Sequence, residues 1–113
     1  MVADIGSGIG NVGMQCAATC GAKNVILVEL CQDRDVCARQ LESMIADAAA
    51  DVGFPFAPRE LHRSTFTCES DAGRAINARL AAESDVLIVN NAEEVRTHSC
   101  RGPCPRRRRQ RRR

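Results

Sequence analysis

The stretch V-A-D-I-G-S-G-I-G-N-V-G, residues 2–13, limits the fold of this chain more than any other. A short apolar run is followed by four glycines within eight residues. Glycine lets a chain turn sharply and lets its backbone N–H groups approach another molecule closely. Residues 10–20 (GNVGMQCAATC) then read as a helix. Their small side chains suit close packing on a sheet, and Gly21 is placed to end the helix. A strand, a glycine turn and a helix in that order open a βαβ unit.

The remaining pattern extends that unit. Residues 24–29 (NVILVE) form the clearest strand, with four consecutive apolar residues before an acid. Continuous apolar runs belong to strands covered on both faces, as in parallel sheets. Residues 33–51 read as a long helix with apolar positions 36, 37, 41, 44, 45 and 48 near helical period. Gly53, Pro55 and Pro58 end it in a loop. Residues 60–66 (ELHRSTF) are a weak third strand. Residues 71–82 are a helix with Ser70 as its N-cap, and 85–90 (DVLIVN) are a fourth strand. The alternation predicts an α/β fold: a Rossmann-like half-sheet, mostly parallel, of about four strands with flanking helices. Periodicity stops after residue 95. The expected division is a folded body over 1–95 and a disordered Arg-rich tail over 96–113.

At 113 residues the chain is one small domain, without Trp or Tyr and with three Phe, so its core must come from Val, Ile, Leu, Ala and Cys. Its formal charge of +2 hides a division. Residues 1–95 hold all 14 acids and seven Lys or Arg, giving −7. Residues 96–113 hold nine Arg and no acid, giving +9. A basic tail on an acidic body points to a polyanionic partner. The seven cysteines contain no C-x-x-C, and His62 and His98 have no ligand spacing with them, so the thiols read as reduced and structural, with no metal site. No cationic leader and no apolar run near 18 residues is present, which predicts a soluble intracellular protein without a membrane partner.

Two registers fit the glycines. Gly8-x-Gly10-x-x-Gly13 suits a dinucleotide; Asp4-x-Gly6-x-Gly8-x-Gly10 suits S-adenosylmethionine. Asp4 favours the second. A carboxylate inside a first strand is expensive to bury, and a dinucleotide has no use for it. The ammonium group of S-adenosylmethionine does. Glu29, ending the second strand, suits ribose hydroxyls in either case. The plainer alternative is that Asp4 only caps the turn and Glu29 is a solvated strand end.

D-I-G-S-G-I-G-N-V-G-M-Q-C-A-A, the following V-E, and V-L-I-V-N-N at 86–91 together resemble one methyltransferase family. It is the non-SET histone-H3 lysine-79 methyltransferases, called disruptor of telomeric silencing, whose signature is D-L-G-S-G-V-G-Q-V-x-x-Q-x-A-A with a later V-x-x-V-N-N. The resemblance spans roughly residues 2–95. It implies a nuclear enzyme that moves a methyl group from S-adenosylmethionine to a lysine of histone H3 in nucleosomes. Asp4, Gly6, Ser7 and Gly8 would hold the methionine part of the cofactor. Asn11 stands where the family has a Gln. Glu29 would hold the ribose. Thr65 and Phe66 would meet the adenine, Thr65 replacing an Asp. Asn90 would lie beside the sulfonium and the incoming lysine. In-line transfer to a neutral amine needs positioning and water exclusion more than acid–base groups.

The family also has segments before the first motif and after V-N-N that this sequence lacks. The expectation is therefore a truncated fragment that does not methylate nucleosomes by itself. R-R-R-R-Q-R-R-R, Arg106 to Arg113, resembles a nuclear-import or DNA- or RNA-binding patch. Two alternatives stay open: a methyltransferase for another substrate, and a non-catalytic Arg-rich nucleic-acid-binding protein.

Overall fold

A computed structural model describes residues 1–64 and 70–89. The elements alternate as the sequence predicts: β1 (Val2–Ile5), α1 (Asn11–Thr19), β2 (Val25–Glu29), α2 (Gln32–Asp51), β3 (Arg59–Arg63), α3 (Asp71–Glu83) and β4 (Val86–Val89). The four strands form one sheet in the order β3-β2-β1-β4. All three pairings are parallel, with Ile5 opposite Val28 and Val89, and Glu29 opposite Arg63. The carboxyl ends therefore share one rim. The strand order changes direction between β1 and β4, and such switch points are where doubly wound sheets bind ligands.

Alternation along the strands separates two cores. Val2, Val25 and Leu27 pack with Met14 and Ala17 of α1, joined by Ile45 of α2, Leu61 and Ile88. Ala3, Ile5, Ile26 and Val28 face the other way, onto Ile76 and Leu80 of α3. Helices thus cover both faces, which is why β2 is apolar at four successive positions and buried throughout.

Helix ends follow the signals in the sequence. Ser70 caps α3, its hydroxyl accepting from the Gly73 N–H at 3.0 Å. α2 closes in a Schellman motif: Gly53 has φ 64°, its N–H donates to Ala50, and the Phe54 N–H donates to Ala49. Gly21 follows the α1 C-cap with φ 61°.

The face of α2 differs from the expectation. Of the apolar positions 36, 37, 41, 44, 45 and 48, only Leu41 and Ile45 are half-buried, and Val36, Cys37, Met44 and Ala48 are exposed. The helix buries Asp35 and Ala38 instead. Ala38 is small enough for close approach. Asp35 is held by Arg39, whose guanidinium also donates to the Leu61 carbonyl, and Glu42 pairs with Arg59 of β3. One ion pair, Glu42–Arg59, and the Arg39 hydrogen bond to the Leu61 carbonyl thus tie α2 to the edge strand, and of its apolar stripe Ile45 packs on the core. The third strand ends at Arg63, short of the expected residue 66.

Candidate functional site

The turn after β1 is built from backbone. The Gly6 and Ser7 N–H groups both donate to the Val28 carbonyl, and the Gly10 N–H donates to the Ser7 carbonyl. Gly8 and Gly10 sit at φ 60° and 89°, where other residues are strained. Gly10 then serves as N-cap of α1 and has no side chain to offer the helix N–H groups. Gly13 serves packing. A Cβ there would lie 2.8 Å from Cγ and Cδ2 of Leu27, so α1 approaches β2 only because residue 13 is glycine.

Asp4 supplies what Gly10 lacks. Its fully buried carboxylate accepts the Gly13 N–H at 3.1 Å, the third-residue donor that an N-cap side chain usually takes. Glu29 is 7% exposed and so is no solvated strand end. Its Oε2 accepts the Gly8 N–H and its Oε1 the Cys31 N–H, each at 2.8 Å. It fastens the glycine turn to the end of β2 and to the start of α2. The two carboxylates place negative charge beneath the turn. Above it, nothing lies within 4 Å of a Cβ built on Gly8.

The structure thus gathers Asp4, Gly6, Ser7, Gly8 and Glu29 at one rim, with Asn11 exposed in the first turn of α1. Thr65, Phe66 and Asn90 lie outside the described residues, as does Arg106–Arg113. The Ser64 N–H donates to the Glu29 carbonyl, and Val89 pairs with Ile5, so the described chain on either side leads to this rim. The sequence leaves capping by Asp4 open as one alternative and does not show which N–H groups the two carboxylates hold. One signal pointed to the capping: a helix that starts at glycine needs an acceptor from elsewhere, and Asp4 is the nearest acid in the chain.

Both glycine registers have structural counterparts in the turn. Gly10 and Gly13 have the turn and packing roles of a dinucleotide motif. Yet the Gly8 and Gly13 N–H groups are held by carboxylates, so negative charge lies directly beneath the turn. An open cradle above negative charge fits a cationic ligand and disfavours an anionic one. The residues present therefore fit the ammonium and ribose of S-adenosylmethionine.

Among described residues no helix is long and apolar enough to cross a membrane. The family model described as histone methylation protein DOT1 matches residues 1–95. No curated protein matches the chain.

Proposed function

This chain belongs to the DOT1 histone methylation family, and we propose that its glycine turn is the S-adenosylmethionine site of a nuclear histone-lysine methyltransferase acting on histone H3 at a lysine-79-type position. One observation carries the reading: carboxylates occupy the Gly8 and Gly13 N–H groups beneath an open turn. A pyrophosphate would meet negative charge there, whereas an ammonium group is attracted.

Bound S-adenosylmethionine supplies an electrophilic methyl group on a sulfonium. The chain's residues bind and orient. Asp4 offers its charge to the ammonium while keeping α1 in place. Glu29 accepts from ribose hydroxyls while holding Gly8. Gly6, Ser7 and Asn11 flank the methionine part. Thr65 and Phe66 are the adenine residues, Thr65 as a neutral and therefore weaker acceptor than a carboxylate. Asn90 would be the residue beside the reacting amine. That amine must arrive neutral and in line, so excluding water does more than a general base would.

Calorimetry with S-adenosylmethionine and NAD tests the reading on three proteins. The unaltered chain binds S-adenosylmethionine more tightly than NAD. Asp4→Asn keeps an oxygen for the Gly13 N–H and removes the charge. It weakens S-adenosylmethionine at least tenfold without lowering the melting temperature, whereas Asp4→Ala lowers both. Tighter NAD binding, or unchanged binding by Asp4→Asn, overturns the assignment.

Nucleosomal DNA or RNA is the partner proposed for Arg106–Arg113. Removing residues 106–113 deletes seven arginines. Duplex affinity then falls, and the slope of log K against log salt flattens by about 0.9 for each phosphate that is no longer neutralised. Retained affinity would transfer the binding surface to the acidic body.

A further inference from the structure

The far end of α1, away from the glycine turn, carries two thiols. Cys16 and Cys20 are four residues apart, at the last turn and C-cap of the helix, and so share a face. Cys16 is half-buried, Cys20 is exposed, and neither is in a disulfide. One helical turn separates them, which puts their Cβ atoms about 5–6 Å apart and brings both sulfurs within reach of one ion. Both line an open cavity of about 450 Å³ at the amino end of the sheet, with Gly21, Lys23, Asp85 and Val86.

We propose that Cys16 and Cys20 form a two-sulfur site for a soft monovalent cation, the cuprous ion. Thiolates are soft ligands that select Cu(I). Structural zinc needs four ligands, and the described residues contain no group of three His, Cys, Asp or Glu that could hold a metal ion. Cuprous ion is satisfied by two sulfurs in line. The balance is simple: each S–H loses its proton to solvent, two Cu–S bonds form, and copper stays Cu(I). The complex carries one negative charge, and the Lys23 ammonium lines the same cavity. The site and the glycine turn lie at opposite ends of α1, so their ligands do not compete.

The test uses the full reduced chain without oxygen, with Cu(I) offered as its bicinchoninate complex. Cys100→Ser and Cys104→Ser are introduced first, because that pair repeats the spacing. The protein should withdraw one equivalent of copper from the chelator. Cys16→Ser and Cys20→Ser should each lower the apparent affinity at least tenfold. Cys31→Ser, Cys37→Ser and Cys68→Ser should leave it unchanged. Cys20 is exposed, so its variant stays informative if Cys16→Ser fails to fold. No withdrawal, withdrawal unaffected by Cys20→Ser, or withdrawal abolished in Cys37→Ser would overturn the site.

Discussion

β2 and β4 are nearly the same strand by composition and opposites by environment. V-I-L-V-E of β2 is buried at every position, with Val25, Ile26, Leu27 and Val28 at 0–2% exposure. V-L-I-V of β4 leaves Val86, Leu87 and Val89 at 49–56%. β2 lies between β1 and β3 beneath helices on both faces. β4 pairs with β1 alone among the described residues. An apolar run therefore states how many faces a strand is suited to have covered, and the neighbours decide how many are.

The sharpest way to break this comparison is to make the same truncation twice. Leu27→Ala removes a side chain 1% exposed that packs against α1. It should cost about 2–5 kcal/mol. Leu87→Ala removes one 56% exposed and should change stability by about 0.5 kcal/mol or less. Urea unfolding of both variants measures the gap. Equal losses would mean that β4 is covered in solution.

Gly13→Ala sharpens the β2 side. The added methyl meets the Leu27 side chain at 2.8 Å, and overpacking of this kind costs about 1–3 kcal/mol. Combined with Leu27→Ala the space is free, so the double variant should lose less than the sum of the two. Additive losses would show that Gly13 matters for its backbone and not for the close approach of α1 to β2.

The same contrast explains what could be read in the chain and what could not. All seven elements were legible, because strands, helices and their caps are set by local chemistry: the period of the apolar residues, Ser70 before α3, Gly53 after α2. The membership of Asp4, Gly6, Ser7, Gly8 and Glu29 in one rim was legible too, since parallel order alone brings those ends together. The rotation of α2 was not. Met44 and Val36 look like core residues in the sequence, but Arg39 and Arg59 hold the opposite face against β3. Such pairs join residues 17 or more apart, and no local pattern encodes them. A capping role for Asp4 was open in the sequence, but its reach to the Gly13 N–H was not legible, because that depends on where α1 lands.

A charge on the open strand tests exposure without disturbing the core. Leu87→Lys should leave the urea midpoint within about 0.5 kcal/mol of the parent. It should also reduce concentration-dependent light scattering, because charged residues blunt the pairing of exposed edges. A large loss of stability would mean that Leu87 is packed. Unchanged scattering would mean that β4 is not the surface through which the chain self-associates.

A small effect is also expected at the other edge of the described sheet, β3, which is tied to α3. Glu60 of β3 accepts both terminal nitrogens of Arg79 on α3, at 2.6 and 2.8 Å, and the Asn24 amide at 2.7 Å. Arg79 above all holds the Glu60 carboxyl down from 4.5 to about 2. A carboxyl depressed by folding stabilises the protein above its unfolded pKa, and that contribution is lost as pH falls towards the folded value. The window is therefore about pH 4.5 down to pH 2. Glu60 and Arg79 are each about one-third exposed, so solvent screening limits the pair to the range of surface bridges, about 0.2–1 kcal/mol. Glu60→Gln keeps an acceptor for Asn24 and removes the charge. At pH 7 it should be slightly less stable than the parent, and the difference should shrink as both are taken from pH 5 to pH 2. Comparing the two proteins cancels the other carboxylates, which titrate in each. A difference that stays constant across that window would show that Glu60 acts through its shape and its hydrogen bond to Asn24, and that the charge on Arg79 is not what ties α3 to this edge.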